Sequence, residues 1–291
     1  PTAASSDGFT STVADMTWNG VKKTVAASAP LFVFADTDIF AKAPKRLTAA
    51  GVSDILGKYI ALADWKIASI LSEEYYCAEV VNLETRAVRT VKDNLKEIAA
   101  GEEEACEKLM YALVLSGLAM QMTGSSRPAS GAEHHLVHLW DMEVVNGHLD
   151  ALHGEKVSGG TMLVLLEYKK IADAIRRGTC KVHTCTEEDQ ELLKETFGKK
   201  GILGALEKEN TPEPLDDVST RELSDALPRI LKIIDALPAV TDMQEMMNTA
   251  GCVSRVRDIG LPGEVIEESL LLAPYTRRRL SLLRLRKMLT Y

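Results

Sequence analysis

Five of the six histidines in this chain lie between residues 130 and 154, in the stretch SGAEHHLVHLWDMEVVNGHLDALHG. Imidazole side chains bind transition-metal ions and exchange protons near neutral pH, so this crowding points to a metal site or an acid–base site. A polar helix face followed by two loop histidines is the plainer alternative. The five residues are His134, His135, His138, His148 and His153.

A helix is predicted to position the first of these histidines. Ser130 and Glu133 have the spacing of a capping box, which predicts a helix that starts at Gly131. His134 and His138 would then lie one turn apart on the same helix face. On that face, His138 could orient or protonate the oxygen of a substrate held near His134.

The other histidines have different expected roles. His135 points about 100° away from its neighbour on a helix, so the two are not expected to share one ion. His153 lies in a glycine-flanked turn at a predicted helix start, where a ligand can reach a site that a mid-helix residue cannot. His148 and His183 are expected to be ordinary loop residues.

A catalytic metal site commonly uses three protein ligands and leaves one position open. His134 and His153 are two candidates, and Asp54 is the best carboxylate candidate. It lies at a predicted helix start on an otherwise apolar element, where a lone carboxylate is costly unless it is paired or bound. A capping role for Asp54 is the alternative.

The first residues, PTAASSDG, combine small and hydroxyl side chains. Thr2, Ser5 and Ser11 fit close contact with a bulky ligand, and Asp7 would accept hydrogen bonds from substrate hydroxyls. Segments of this composition are more often simply flexible.

Composition indicates a helical globular protein. Hydrophobic residues make up 46% of the 291 residues and aromatic residues 5%, which favours helices over sheets. A net charge of -8 argues against a general nucleic-acid surface. The basic segment TRRRLSLLRLRK is interpreted as a packed terminal helix with paired or snorkelling arginines.

Five cysteines at irregular spacing do not make a disulfide framework, and Cys180 with Cys185 is only a weak candidate for a bridge or metal pair. Reduced thiols in a cytoplasm are the simpler interpretation. No apolar run reaches the roughly 18 residues of a spanning helix and no secretory signal is visible, so we expect no membrane span. The chain begins with Pro1 rather than Met, so an upstream segment is expected to have been removed.

Periodicity and turn residues predict the order of the elements. A hairpin is predicted in MTWNGVKKTVAA, a strand in LFVFAD (31–36), a short helix from Pro44 to Gly51, and a long helix with Ser53 as its N-cap. Further helices are predicted over 82–100, 102–123 and 155–178, then an irregular link over 179–186 and shorter helices over 187–198, 219–227, 228–237 and 242–251.

Four stretches resemble the sn-glycerol-1-phosphate dehydrogenase branch of the glycerol/iron-type metal-dependent alcohol dehydrogenase superfamily. They are PTAASSDGFTS at the start, FADTDIFAKAPKRLTAAGVSDILGKYIALADWK (34–66), SGLAMQMTGSSRPASGAEHHLVH (116–138) and HGEKVSGG (153–160). Their order and spacing are those of the family, and together they are specific. The resemblance is strong over roughly the first 165 residues and looser beyond.

The resemblance implies a fold as well as a family. Its members, which share the dehydroquinate synthase-like fold, have an N-terminal nucleotide-binding α/β domain and an all-helical C-terminal metal domain. This chain starts at the seam between them and has no glycine-rich phosphate loop or βαβ series. We therefore expect a mainly α protein with a short β segment at its N-terminus: residues 1–36 as seam strands or linker to a missing nucleotide-binding domain, and 37–291 as the helical metal- and substrate-binding domain.

The resemblance also implies roles for individual residues. Asp54, His134 and His153 would bind the metal; Asp7, Asp54 and His138 would contact substrate, with Asp54 and His138 catalytic; and Thr2, Ala3, Ala4, Ser5 and Ser11 would border the nicotinamide cofactor. The metal would be zinc, or nickel or iron in some members, and the dinucleotide NAD or NADP. We add the hypothesis that Arg127 and the helix N-terminus at Gly131 form part of a phosphate pocket.

The predicted activity is the NAD(P)-linked interconversion of dihydroxyacetone phosphate and sn-glycerol 1-phosphate, by a homo-oligomer that spans no membrane and binds no nucleic acid. Two alternatives are a glycerol or polyol dehydrogenase of the same superfamily and a helical scaffold without catalysis. A cyclase of the dehydroquinate synthase kind fits the motifs less well.

Overall fold

The structure is a computed structural model that describes residues 1–185 and 190–291, and helices dominate it, as predicted. The helices are α1 (Thr37–Phe40), α2 (Lys45–Leu71), α3 (Ala78–Lys92), α4 (Leu95–Ala100), α5 (Glu103–Thr123), α6 (Ala132–Asp141), α7 (His153–Arg177), α8 (Gln190–Leu193), α9 (Leu203–Glu209), α10 (Thr220–Asp235), α11 (Val240–Thr249), α12 (Ile266–Leu272) and α13 (Leu282–Leu285). Short 3-10 turns lie at Gly8–Thr10, Val256–Ile259, Gly263–Val265, Ala273–Thr276 and Arg286–Met288, and a π turn at Lys194–Gly198. None of the helices in the described part of the chain combines the length and apolar character needed to cross a membrane.

The predicted hairpin is confirmed. Strands β1 (Val13–Trp18) and β2 (Val21–Ala26) pair antiparallel, with Val13 opposite Ala26. Asn19 and Gly20 connect them at φ values of 50° and 78°, the conformation that a tight two-residue hairpin turn requires. A second short ladder pairs β3 (Lys181–Val182) with β4 (Leu289–Thr290). Strand β3 lies in the link over 179–186 that was predicted to be irregular.

The predicted strand LFVFAD is wrong. The described structure shows no strand at residues 31–36, and Leu31, Phe32 and Phe34 are 93%, 77% and 85% exposed. Apolar and β-branched residues form a strand only where a neighbouring strand completes the ladder. No described strand pairs with this segment.

The predicted break before Asp54 is also wrong, because α2 runs unbroken through it. Ser53 does not cap a helix; its hydroxyl donates to the Ala49 carbonyl at 3.0 Å inside α2. Gly51 does not end a helix but allows a close approach: a Cβ there would lie 2.0 Å from the Ala4 carbonyl oxygen. Asp54 is therefore a mid-helix residue and cannot serve as a cap.

Helices α2 and α7 form the centre of the fold, with α6 packed against α7. Gly154 lies where α7 meets α2, and a Cβ on it would lie 2.0 Å from the Ala50 carbonyl oxygen. Gly160 lies where α7 meets α6, and a Cβ on it would lie 2.7 Å from the Glu133 carbonyl oxygen. These contacts set the spacing of the three helices that carry the candidate ligands.

Three other helix predictions need correction. The helix predicted over 82–100 is divided into α3 and α4, although Gly101 ends it with φ 87° as expected. The two helices predicted over 219–237 are one, α10, with Pro228 inside it. Leu223, Ala226, Ile230 and Ile234 bury one face on both sides of Pro228, and this packing outweighs the lost hydrogen bond.

The basic terminal segment packs without forming the predicted continuous helix. A 3-10 turn, α13, another 3-10 turn and β4 follow one another there. The predicted pairing is present: Arg284 Nε lies 2.8 Å from Glu213, and Arg286 Nε lies 2.9 Å from Glu167. Of the helix predicted over 187–198, the part before residue 190 lies outside the described residues, and α8 and the π turn form the rest. The described residues contain no disulfide, so Cys180 and Cys185 are not bridged.

Candidate metal centre

Three side chains from three helices converge at one point. Asp54 lies in the middle of α2, His134 in the first turn of α6, and His153 is the first residue of α7. One ligand atom of each lies within 4.8 Å of the others, and Asp54 Oδ1 is 3.7 Å from His134 Nε2. Asp54 and His134 are buried and His153 is exposed, so the group opens to solvent on one side.

A buried lysine that was not foreseen compensates the charge of Asp54. Lys58 lies one turn further along α2, and its Nζ is 2.8 Å from Asp54 Oδ1 and 2.7 Å from Asp7 Oδ2. Burial alone would raise the pKa of Asp54, but Lys58 and then the two imidazoles lower it to about 2. The carboxylate is therefore ionised and ready to bind a cation. The i, i+4 spacing of Asp54 and Lys58 is a signal that the sequence carried.

Glu133 orients the His134 ring. His134 Nδ1 is 2.7 Å from Glu133 Oε1, which leaves Nε2 facing Asp54. A carboxylate behind an imidazole in this way fixes the ring and strengthens it as a metal ligand. Burial alone would lower the pKa of His134, but the hydrogen bond to Glu133 and its charge raise it. Binding of a metal ion at Nε2 must therefore displace a proton over part of the pH range.

The helix start is capped differently from the prediction. Gly131, not Ser130, is the N-cap of α6, and no side chain of that residue caps the helix. Glu133 does accept from the Gly131 N–H, at 2.8 Å. The Ala132 N–H donates instead to Asp64 Oδ2 on α2, at 2.8 Å. The predicted capping box is therefore wrong in its serine half.

Asp64 joins four parts of the chain. Besides Ala132, it accepts from the Tyr168 hydroxyl at 2.7 Å and from the Leu282 N–H at 2.9 Å. Burial raises the pKa of this carboxyl to about 6. Through these bonds α2, α6, α7 and the C-terminal segment are tied together at the start of α6.

The three converging residues fit a divalent ion. Two imidazoles and one carboxylate are ligands that zinc, iron and nickel accept, so the donor set does not choose among them. Asp54 is ionised, His134 is held with Nε2 towards the group, and the open side next to His153 leaves room for a substrate oxygen.

The N-terminal segment lies against this group. The Asp7 N–H donates to Asp54 Oδ2 at 3.0 Å, and the Ser116 hydroxyl donates to Asp7 Oδ2 at 2.9 Å. Asp7 is therefore in contact with a candidate ligand, and its expected substrate role stays a prediction. The residues expected to border the dinucleotide lie on the same segment; Ala3 and Ala4 are buried, Ser5 and Ser11 half-buried, and Thr2 exposed.

His138 lies one turn beyond His134 on α6 and is 3% exposed. Arg277 Nη2 is 3.2 Å from its Nδ1. Because arginine can only donate, Nδ1 accepts and the ring proton lies on Nε2. Burial, followed by the charge of Arg277, lowers the pKa of His138 well below its usual value, so the ring is neutral.

The remaining predicted residues do not join the converging group. His135 is fully buried, and neither ring nitrogen has a hydrogen-bond partner among the described residues. His148 is exposed and lies 2.9 Å from Glu143, and His183 lies far along the chain, after β3. Both agree with the expectation of loop residues.

Arg127 is committed to other contacts. Its guanidinium forms a two-bond pair with Glu74 and donates to the Leu280 carbonyl at 2.7 Å. The first N–H groups of α6 are likewise taken by Glu133 and Asp64. The phosphate role of Arg127 and of this helix start stays a prediction; Nε and Nη2 of Arg127 are taken by these contacts, and Nη1 is buried without an acceptor among the described residues.

Comparison with known proteins identifies proteins of similar sequence and solved structures of similar fold. A family model described as iron-containing alcohol dehydrogenase matches residues 1–44. Proteins named glycerol-1-phosphate dehydrogenase (NAD(P)+) are 34% identical in Geobacillus thermodenitrificans, over 93% of this chain and 60% of the relative, and 35% identical in Halalkalibacterium halodurans, over 97% and 63%. One from Methanosarcina mazei is 34% identical over 81% of this chain and 65% of its own length. The chain thus spans about three fifths of the curated relatives it matches.

Two solved structures share the fold. An alcohol dehydrogenase from an archaeal halo-thermophilic Red Sea brine pool source aligns with a TM-score of 0.56 and 16% identity, covering 94% of this chain and 57% of its own. The iron-containing alcohol dehydrogenase of Corynebacterium glutamicum aligns with a TM-score of 0.55 and 15% identity, covering 98% and 64%. At this identity the likeness concerns the fold alone.

Proposed function

We propose that this chain, a homologue of the glycerol-1-phosphate dehydrogenases, is the metal- and substrate-binding part of an NAD(P)-linked oxidoreductase that interconverts dihydroxyacetone phosphate and sn-glycerol 1-phosphate. The observation that carries the proposal is the convergence of Asp54, His134 and His153 within 4.8 Å, open to solvent on one side. Residues 37–291 would form this part. Residues 1–36 would form the seam to a dinucleotide-binding α/β domain like the one that the family's fold implies.

The residues of this chain have separate tasks in the reaction. Asp54, His134 and His153 would hold the divalent ion, which when bound polarises a substrate oxygen and lowers the pKa of a hydroxyl group. His138 presents its Nε2–H one turn along α6 and orients the substrate oxygen from that side. Lys58 keeps Asp54 ionised and holds Asp7 beside it, so that the Asp7 carboxylate can accept from a second substrate hydroxyl.

The segment from Thr2 to Ser11 would border the nicotinamide ring of a bound dinucleotide, which would supply or accept the hydride. Thr2, Ser5 and Ser11 are at least partly exposed and could contact the ring. Ala3 and Ala4 are buried, and the Ala4 carbonyl packs against Gly51 of α2. The chemistry of the transfer belongs to the dinucleotide, and the protein supplies its orientation.

The test combines metal analysis with a rate comparison. Purified protein reconstituted with zinc should retain one ion per chain, and His153→Ala should retain none. With the dinucleotide domain present, dihydroxyacetone phosphate should be reduced much faster than dihydroxyacetone. Equal rates would indicate a polyol dehydrogenase instead, and no retained ion would indicate a scaffold.

A further inference from the structure

Arg277 occupies an unusual position for a charged residue. Its side chain is 9% exposed, and it contacts His138, which shares a helix face with the candidate ligand His134. The Arg277 carbonyl accepts from Arg284 Nη1 at 2.9 Å, so the backbone that carries it is fixed. A cation is thereby held beside the substrate-facing histidine.

We propose that Arg277 binds the anionic end of the substrate and that the Asp15 carboxylate takes this place while no substrate is bound. The inference rests on the function proposed above, and it assigns the phosphate to a residue that the sequence analysis did not select.

Distance along α6 supports the assignment. His134 and His138 are one turn apart, about 5–6 Å between Cβ atoms, and Arg277 reaches the far one. In a three-carbon phosphate whose central oxygen lies at the ligand group, the phosphorus lies three covalent bonds from the central carbon, roughly 4 Å away. The phosphate then falls next to His138, within reach of the guanidinium.

The charges around Arg277 support an anion as its partner. Within residues 1–185 and 190–291, Arg279, its near neighbour, donates only to neutral oxygens, the Ser130 carbonyl at 3.1 Å and the Ser126 hydroxyl at 2.7 Å. Arg127, close to Arg279, keeps a buried Nη1 without an acceptor among the described residues. This group of guanidiniums therefore has more donors than acceptors. A planar guanidinium suits two-bond recognition of phosphate.

The contacts of Asp15 suit a carboxylate that a bound anion displaces from Arg277. It lies on the β1–β2 hairpin, its side chain is 43% exposed, and its Oδ1 is 2.8 Å from Arg277 Nη2. The other acidic neighbour, Glu209, is further away, at 3.7 Å from Nη1. An ion pair with one partner this exposed contributes little, so a phosphate dianion can replace it.

The experiment measures binding to the zinc-loaded full chain by isothermal titration with dihydroxyacetone phosphate, dihydroxyacetone and inorganic phosphate. Arg277→Met should weaken dihydroxyacetone phosphate about 10- to 100-fold, the loss of a charge-assisted hydrogen bond, weaken dihydroxyacetone far less, through the loss of the contact with His138, and leave zinc content unchanged. Arg277→Lys should restore part of the loss. Arg278→Met is the matched control, because Arg278 is exposed and donates to the Pro212 carbonyl, and it should bind like the wild type.

The outcomes separate the two proposals. If wild type prefers the phosphorylated ligand and Arg277→Met keeps that preference, the role of Arg277 is refuted while the proposed function stands. If wild type shows no preference for the phosphate, the proposed substrate itself is wrong. Should Arg277→Met fail to fold, the exposed variant Asp15→Asn decides: it should tighten inorganic phosphate severalfold, and unchanged or weaker binding overturns the proposal.

Discussion

Replacing Gly154 by alanine should disable the metal centre without touching a ligand. Gly154 follows His153 and faces Ala50, four residues before Asp54 on the other helix. An added Cβ would lie 2.0 Å from the Ala50 carbonyl oxygen, 2.5 Å from its carbonyl carbon and 2.6 Å from its Cα. All three atoms are backbone, so no side-chain rotation relieves the clash, and α7 must move away from α2.

The size of this movement sets the expected loss. Ordinary van der Waals contact begins at 3.4 Å, so the Cβ is about 1.4 Å too close. Metal–ligand distances tolerate only about 0.2 Å, and His153 sits next to the displaced residue. A misplacement of about 1 Å can cost roughly 100-fold, and we expect zinc affinity to fall by at least that factor. Overpacking should lower the free energy of unfolding by about 2–3 kcal/mol.

Zinc affinity would be measured by competition with a chelating indicator and stability by urea unfolding of the metal-free protein. The matched control is Gly159→Ala in the same helix, whose Cβ would meet the side-chain ends Val256 Cγ1 at 3.3 Å and Ile259 Cδ1 at 3.6 Å, and backbone only at the ordinary contact distance of 3.8 Å, at Val256 Cα. It should keep zinc affinity and gain up to about 1 kcal/mol from helix propensity. If Gly154→Ala binds zinc within threefold of wild type, the close contact of α2 and α7 does not set the ligand geometry.

Three further changes test the charges around the site. Lys58→Met leaves the carboxylates of Asp54 and Asp7 without their cation, so the free energy of unfolding of the metal-free protein, measured in urea, should fall by about 3–5 kcal/mol. Zinc should restore part of this loss, since the ion supplies positive charge. An equal loss with and without zinc would contradict this expectation. Glu84 lies on α3 and is fully buried, within electrostatic reach of Lys58 and Asp7. Burial raises the pKa of Glu84 from 4.5 to about 8, so the folded state keeps a proton that the unfolded state releases above pH 4.5, and wild-type stability should fall as pH rises towards 8. Glu84→Gln should lack this fall and gain relative to wild type by up to about 4 kcal/mol between pH 5 and pH 8, in urea unfolding of the metal-free proteins at the two values; parallel pH profiles would refute the assignment. His153→Ala removes an exposed ring, so it should abolish zinc retention while changing metal-free stability by less than about 1 kcal/mol; a large loss of stability would give the ring a structural role.

The sequence indicated those parts of the fold that depend on neighbouring residues. Asn19-Gly20 identified the hairpin because its turn geometry needs two positive φ values. Gly101, Gly124 and Gly178 ended helices as predicted, all in the left-handed conformation. These are local effects, and a single sequence records them.

The errors arose where a distant contact decided the outcome. Gly51 and Ser53 have the look of a helix boundary, yet Ala4 packs onto Gly51 and α2 continues. Glu133 reads as a capping residue, and only the fold shows that the same carboxylate orients His134. The convergence of the three candidate ligands agrees with the resemblance, whereas Lys58, adjacent on the same face, could have been found from spacing alone.

Asp64 has a consequence for how the protein opens. Its carboxyl is shared by the Ala132 N–H, the Tyr168 hydroxyl and the Leu282 N–H, all buried. If the C-terminal segment detaches, the carboxyl loses a donor in the interior, and the start of α6 is weakened at the same time. The amide protons of Ala132 and Leu282 should therefore exchange with solvent in a single cooperative step, although 150 residues separate them in the chain. Local fraying at the C-terminus would then loosen the first turn of α6, which carries His134.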